Sequence, residues 1–263
     1  MIRKRLFYDI ETSYYIVKAW SPGWGKTIHP SDIIHHPSVI CVSYKWEGEN
    51  KVHRISWDNE QSDKELIENF SKVLEKANQI VAHNGDRFDI KWLRMRAIHH
   101  GIEMNSKYQS IDTLKIAKAQ FRFHSNKLDE LGQFLGVGEK IKTDITLWDR
   151  VILNKEPEAL EEMGKYCDQD VILLEKVFNK LKPYANPQFN YGKLYQNENW
   201  GCPECGNLKV HVSRCHTTAM GVRRYQMRCK SNGCLTNFTI SYLTFRKMNE
   251  WRFKNDMKIV IDK

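Results

Sequence analysis

Long apolar segments are missing from this 263-residue sequence. No apolar stretch approaches the roughly 20 residues that a membrane-spanning helix needs. The opening residues, MIRKRLFYDIETS, are partly basic but have only a short apolar run before the first acids, so they make a poor signal peptide. Internal repeats and low-complexity tracts are also missing. These absences argue against a membrane protein or an exported protein and predict a cytoplasmic one.

The composition is that of an ordinary soluble globular protein, with 41% hydrophobic and 28% charged residues. The length suits one large domain, or a medium domain plus a small one. The charge is uneven, because 13 of the 41 basic residues but only 5 of the 32 acidic residues lie in residues 185–263. Nearly all of the net charge of +9 therefore belongs to the last third. This asymmetry suggests a polyanion-binding appendage, with a merely solvated basic surface as the alternative.

Strand-like and helix-like segments alternate along the first two thirds of the chain. Apolar runs predict strands at 6–10, 39–46, 51–57 and 79–84. Helical spacing predicts helices at 63–77, 88–101, 112–121, 127–136 and 157–182. Residues 12–37 are expected to form a long loop. This order predicts an α/β domain with a mixed sheet.

Two acids one residue apart close the first predicted strand. In LFYDIETS, Asp9 and Glu11 follow an apolar run. Residues i and i+2 of a strand share a face, so these carboxylates point the same way while Ile10 points into the core. Side-by-side carboxylates repel unless a cation lies between them. Either a Lys or Arg side chain or a metal ion is therefore expected there.

Acids from other segments can complete such a site. Asp89 lies at a predicted strand-to-helix junction, and Asp170 shares a helix face with Tyr166, four residues earlier. Taken alone, Asp89 would be a helix N-cap and Asp170 a solvated helix residue. Together with Asp9 and Glu11 they make four carboxylates from three segments. Two divalent ions would turn such a set into a hard-oxygen site that clamps a phosphate.

Three ordered motifs resemble one enzyme family. FYDIET (7–12), NGDRFD (84–89) and YCDQD (166–170) match motifs of the DEDD superfamily of 3′–5′ exonucleases, which has an RNase H-like fold. IDTL (111–114) and KLDEL (127–131) lie between them. The sequence is most similar to the proofreading exonuclease domains of family B DNA polymerases. The implied fold is an RNase H-like mixed β-sheet flanked by helices.

The resemblance also selects a branch of the family and assigns roles. Lys165 stands where one branch has His, whereas Tyr166 matches the tyrosine branch. The resemblance implies two Mg²⁺ or Mn²⁺ ions held by Asp9, Glu11, Asp89 and Asp170. Oxygen ligands favour these ions over zinc. Tyr166 would position the attacking water, since a phenol with an ordinary pKa of about 10 is a poor base.

Expectations for three further residues complete the predicted site. Thr12 and Asn84 would contact the terminal nucleotide, whereas Phe88 is expected in the core rather than stacked on a base. Asp168 falls on a different helix face from Asp170 and is left out of the site. Only 79 residues follow residue 184, far too few for a polymerase. The expectation is a domain that stands alone or serves a polymerase or helicase in trans.

Cysteines concentrate in the last third of the chain. Cys202 and Cys205 are spaced C-x2-C and Cys229 and Cys234 C-x4-C, which is typical of a zinc ribbon with one structural Zn²⁺. Disulfides are the alternative, although nothing indicates export. Cys215 with His216 is expected to be a spare surface pair. The two remaining cysteines, Cys41 and Cys167, are expected to be buried and idle.

Basic residues surround the second cysteine pair. Arg223, Arg224, Arg228 and Lys230, interleaved with Tyr225, fit backbone contact plus stacking on nucleic acid. Docking of a protein is the alternative. The predicted plan is an exonuclease domain (1–184), a linker (185–197), a zinc ribbon (198–245) and a basic tail (246–263).

The sequence thus predicts a standalone, metal-dependent 3′–5′ exonuclease whose partner is single-stranded DNA or a DNA 3′ end. An exoribonuclease and a catalytically silent binding or assembly module are the alternatives. All four acids and Tyr166 are present, which disfavours the silent module.

Overall fold

The computed structural model describes residues 4–21, 23, 25, 27–104, 108–185, 190, 192–193 and 198–257. The chain divides into two compact units between Phe178 and Asn179. Most of the predicted linker and the end of the predicted tail lie outside the described residues. No helix within the described ranges is long and apolar enough to cross a membrane.

The first unit contains seven strands among its described residues: β1 (Arg5–Thr12), β2 (Ile16–Val17), β3 (Ile33–His35), β4 (Val39–Trp46), β5 (His53–Ser56), β6 (Gln79–Ala82) and β7 (Gln109–Asp112). Its helices are α1 (Lys64–Leu74), α2 (Asp89–His99), α3 (Thr113–Gln120), α4 (Leu128–Phe134), α5 (Ile145–Ile152) and α6 (Pro157–Leu181), of which α6 runs past the division.

The main sheet has the strand order β5-β4-β1-β6-β7. The β5, β4 and β1 strands pair antiparallel, whereas β1, β6 and β7 pair parallel, so the predicted mixed sheet is confirmed. The β2–β3 hairpin lies in the predicted loop at 12–37, and neither β7 nor α5 was predicted. The β7 strand is short and half-exposed, and its QSID sequence has no apolar alternation.

Both faces of the central strand β1 are covered. Leu6 and Tyr8 belong to a core that α1 and α2 complete on one face. On the other face the Phe7 ring lies 5.5 Å from Phe178 of α6. Asp9 and Glu11 have the same parity as Phe7, so they point toward α6.

A buried ion pair fixes α2 to the rest of the first unit. Asp63, just before α1, accepts hydrogen bonds from Arg96 Nε (2.7 Å) and Nη2 (2.8 Å). It also bonds the His100 ring (2.7 Å) and the Val39 amide (2.9 Å). Since α2 begins with Asp89, this anchor also holds a predicted site residue in place.

The second unit is a small β structure with a cysteine cluster, as the predicted fold class requires. Strands β8 (Val210–Thr217), β9 (Arg223–Cys229) and β10 (Asn237–Ser241) form an antiparallel sheet in the order β10-β9-β8. Helix α7 (Tyr242–Lys254) follows, and its Phe245 ring stacks 3.9 Å from that of Tyr225. The predicted boundary between ribbon and tail falls inside α7, because Phe245 and Met248 belong to the core of this unit.

Candidate active site

Asp9 and Glu11 stand near the carboxyl end of β1, beside α6. Ligand atoms of Asp9, Glu11 and Cys167 all lie within 4.8 Å of one another. Cys167 Sγ lies 3.9 Å from Asp9 Oδ2. As predicted, Cys41 and Cys167 are fully buried. The two carboxylates therefore meet α6 at the point where the third motif lies.

The loop between β6 and α2 delivers the third acid. Asn84 has a φ of 67°, and its carbonyl accepts the amide of Phe88 (3.0 Å) in the turn that leads into α2. A Cβ on Gly85 would collide with the side chain of Ala82 and come within 3.4 Å of the Tyr8 hydroxyl, so this turn needs glycine. Asp89 itself is buried as the first residue of α2.

Asp89 is not the N-cap of α2 but its first helical residue. Its carboxylate accepts a hydrogen bond from the backbone of Ile10, which lies between the two acids of β1. Its Oδ1 is buried and has no partner among the described residues. Phe88 occupies the cap position, and the prediction that it lies in the core is wrong: Phe88 is 41% exposed and stands 6.2 Å from the Trp92 ring.

Helix α6 supplies the last acid and the tyrosine. Asp170 is fully buried, and its Oδ1 also has no partner in the described part of the chain. Tyr166 lies one turn earlier and is half-buried. Asp168 is held elsewhere, by Arg54 Nη2 (2.5 Å) and the Ser43 hydroxyl (2.6 Å). Asp168 thus has a structural partner of its own.

Lys140 is a member of the site that sequence reasoning missed. It lies between α4 and α5, where Asp129 accepts its backbone amide (2.7 Å). Its ammonium pairs with Asp170 and donates to the Tyr166 hydroxyl (3.2 Å). Either a Lys or Arg side chain or a metal ion was expected beside the acids. No local motif shows which of the 41 basic residues would lie there.

The acids repel one another strongly. Burial is the largest cause that raises the pKa of Asp9 and Glu11 well above the ordinary value, and neighbouring carboxylates raise it further. Burial likewise raises the pKa of Asp89 to about 7. Burial raises the pKa of Asp170 too, against the opposing charge of Lys140. One ammonium therefore leaves the cluster short of positive charge.

The donor set fits hard divalent cations. Within the described ranges, Asp89 and Asp170 each have a buried carboxylate oxygen without a partner, and the β1 carboxylates interact with both acids. Magnesium and manganese take oxygen ligands of this kind and compensate carboxylate charge. Burial and the Asp170 charge raise the pKa of Tyr166 to about 12, so its hydroxyl keeps its proton at neutral pH.

A groove of about 610 Å³ opens beside the acids. Asn84 and Lys140 line it together with Lys118, Lys127 and His83. The His83 ring is bonded to the Thr113 hydroxyl (2.8 Å) and the Asn126 carbonyl (2.9 Å). Three lysines thus line the groove with one acid, Asp129, and this basic lining suits a phosphate backbone.

Thr12 is placed by an element that was not predicted. Its carbonyl accepts a hydrogen bond from Trp148 Nε1 in α5 (3.1 Å). The Trp148 ring stands edge-on to Tyr166, with centroids 6.3 Å apart. Helix α5 therefore ties the end of β1 to the tyrosine of α6.

Four thiols meet in the second unit: Cys202, Cys205, Cys229 and Cys234. Their sulfurs lie within 4.8 Å of one another, with two pairs at 3.6 Å. A tetrahedral ion with metal–sulfur bonds of about 2.3 Å needs sulfur spacings of about 3.8 Å, so the cluster can hold one. None of the seven cysteines forms a disulfide. Asn207 donates to Ser231 (2.7 Å) and joins the two halves of the cluster.

The predicted basic contacts lie on or beside β9. Arg223, Arg224, Arg228 and Lys230 are all exposed. Tyr225 is 1% exposed and packs on Phe245, so the expectation that it stacks on a base is wrong. Cys215 packs against the core of this unit whereas the neighbouring His216 is exposed, so they do not form a joint site.

Comparison with known proteins identifies the family. Residues 35–182, more than half of the chain, match the RNase_H superfamily, and the chain belongs to it. The matched range begins after β1 and so does not include Asp9 or Glu11. A solved family B DNA polymerase from the hyperthermophilic archaeon Pyrobaculum calidifontis is similar, with 16% identity and a TM-score of 0.53. That match covers 70% of this chain and 25% of the polymerase, and it shows a shared fold. Membership of this superfamily supports a nuclease.

Proposed function

We propose that this chain is a metal-dependent exonuclease that removes nucleotides from the 3′ end of DNA. The observation that carries the proposal is the convergence of four carboxylates from β1, α2 and α6, two of which have buried oxygens with no partner among the residues that the structure describes. The motif resemblance to the tyrosine branch of the DEDD exonucleases supplies the 3′–5′ direction and the choice of DNA. The similarity to a DNA polymerase fold supports the same choice.

The proposed roles follow the positions of the side chains. Asp9, Glu11 and Asp170 would hold one Mg²⁺ or Mn²⁺ ion, and Asp9 with Asp89 a second. When bound, two such ions would lower the pKa of a bound water and would stabilise the charge on the leaving 3′-oxygen. Tyr166 keeps its proton and positions the attacking water as a hydrogen-bond donor. Thr12 and Asn84 contact the terminal nucleotide.

The remaining roles concern binding. Lys140, Lys118 and Lys127 line the groove beside the acids and attract the phosphates of the incoming strand. The cysteine cluster holds one structural Zn²⁺, without which so small a unit would not fold. Arg223, Arg224, Arg228 and Lys230 raise the local concentration of nucleic acid. A polymerase or helicase in trans stays a prediction of the motif resemblance.

Nuclease assays on 5′-labelled single-stranded DNA and RNA of one sequence test the proposal. We expect a Mn²⁺- or Mg²⁺-dependent ladder that shortens from the 3′ end, faster on DNA. Asp9→Ala should abolish it, whereas Asp168→Asn should retain it because Asp168 pairs with Arg54 away from the cluster. Faster cleavage of RNA would establish the exoribonuclease instead. Tight binding without cleavage of either strand would leave only a binding module.

A further inference from the structure

A β-bulge gathers basic side chains on one face of the small sheet. In β8, Val212 pairs with Met227 and Arg214 pairs with Gln226, so Ser213 is an extra residue between them. Val210 and Val212 belong to the core side, and without the bulge Arg214 would share their parity. The bulge turns Arg214 to the opposite face, which is how bulges re-aim side chains.

The resulting outer face is defined by nine side chains in three strands. They are His211, Arg214 and His216 of β8, Arg224, Gln226 and Arg228 of β9, and Asn237, Thr239 and Ser241 of β10. The register places them in three cross-strand rows, each with a basic residue. The other face is buried under the core of the unit, which includes Tyr225, Met227 and Phe238.

The chemistry of the outer face suits a phosphate backbone. None of the nine side chains is acidic, and within the described part of the chain Arg214, Arg224 and Arg228 form no ion pair. Arg224 and Arg228 lie about 13 Å apart along β9, since a strand rises about 3.3 Å per residue. Burial, and after it the charge of Lys230, lowers the pKa of His211.

Large aromatic rings are missing from the outer face, where His211 and His216 are the ring-bearing side chains. None of the nine is Phe, Tyr or Trp, and Tyr225 lies on the buried side. Proteins that hold unpaired strands on a sheet stack bases on such aromatic residues. Arginine, amide and hydroxyl side chains are instead typical of contacts to phosphate and sugar, which carry no sequence information.

We propose that this outer face, with Arg214, Arg224 and Arg228 as its anchors, binds the sugar–phosphate backbone of double-stranded DNA without regard to sequence. The inference rests on the proposed function only in taking DNA as the polymer. The proposed binding face includes Arg214, which no sequence motif marked. Arg223 is not part of this face because its side chain has the opposite parity on β9. A duplex held here would supply ends to a nuclease.

Fluorescence anisotropy of a labelled 20-base-pair duplex and of its single strand tests the proposal. The full chain carries Asp9→Ala so that the DNA stays intact, and no chelator is added. We compare the triple variant Arg214→Gln, Arg224→Gln, Arg228→Gln with a matched triple on α7, Arg246→Gln, Lys247→Gln, Lys254→Gln. Both lose three charges from the same unit, and bound zinc is measured in each.

We expect the outer-face triple to bind the duplex at least about tenfold more weakly. The slope of log affinity against log salt should become shallower by about 2.7, from 0.9 per phosphate contact. The α7 triple should stay within about twofold. Equal losses in both triples, or a loss confined to the single strand, would overturn the proposal. If the outer-face triple loses zinc, the single variant Arg214→Gln is measured instead. Its slope of log affinity against log salt should become shallower by about 0.9.

The nuclease proposal is tested separately with a small chromogenic thymidine phosphodiester and the unmodified chain. If that ester is not hydrolysed while the duplex-binding difference holds, only the nuclease proposal fails. If the ester is hydrolysed and the two triples bind alike, only the outer-face proposal fails.

Discussion

Removal of the Lys140 ammonium from the acid cluster should destabilise the protein, because the cluster then has less positive charge to balance its carboxylates. Lys140→Met leaves Asp170 without its partner, and the two side chains are 30% and 1% exposed. Breaking a fully buried pair costs about 3–5 kcal/mol. Because Lys140 is partly exposed and the carboxylates can take up a proton, we expect a loss of about 2–3 kcal/mol. For a unit of this size that corresponds to a decrease in Tm of about 5–10 °C.

Thermal unfolding followed by circular dichroism, in buffer without added divalent ions, measures this effect. Lys142→Met is the matched control, because Lys142 is an exposed lysine of the same connection, and it should change stability by less than about 0.5 kcal/mol. Manganese at about 100 times its Kd should raise the stability of Lys140→Met by about 2.7 kcal/mol. Equal Tm values for the two variants, or no response of Lys140→Met to manganese, would refute this view of the cluster.

Three further perturbations test other parts of the structure. Asp63→Asn should lower the free energy of unfolding by about 3–5 kcal/mol in urea at pH 7, because Arg96 stays buried without its partner. Burial raises the pKa of Asp63, but the hydrogen bonds that it accepts, above all that from Arg96, have the larger total effect. The pKa of Asp63 is therefore lowered. Its contribution is therefore complete at neutral pH and lost as pH falls below about 4, where wild type and variant should converge. Gly85→Ala should cut nuclease activity more than about tenfold with a stability loss of about 1–3 kcal/mol, since overpacking forces the turn before α2 to move. Cys205→Ser should reduce bound zinc, measured by elemental analysis, whereas Cys215→Ser should not; equal zinc in both would contradict the four-thiol site.

The acids of the site were predictable because their geometry is local. Alternation along a strand puts Asp9 and Glu11 on one face, and the helical period puts Tyr166 beside Asp170. Each of these relations needs only the type of element. Local patterns do not predict that the three segments meet in the fold. That expectation came from the motif resemblance.

The features that escaped prediction depend on contacts between distant segments. Lys140 reaches the acids only because the connection from α4 to α5 passes them, 30 residues before Asp170 in the chain. The β7 strand is short and half-exposed, so its parallel pairing with β6 leaves no periodic signal. Phe88 resembles a core residue in sequence, yet the turn at Asn84 leaves it 41% exposed. The bulge in β8 likewise changes parity without any glycine to mark it.

The most direct test of the central claim compares two acids of one helix. Asp170→Asn changes a buried carboxylate of the cluster, and Asp168→Asn changes a carboxylate two residues away that pairs with Arg54. The measurement is the single-turnover rate of Mn²⁺-dependent removal of the 3′ nucleotide from labelled DNA. We expect a rate at least about a hundredfold lower for Asp170→Asn, the scale of losing one charge-stabilising group, and a nearly unchanged rate for Asp168→Asn. Similar rates for the two variants would contradict the assignment of the active site.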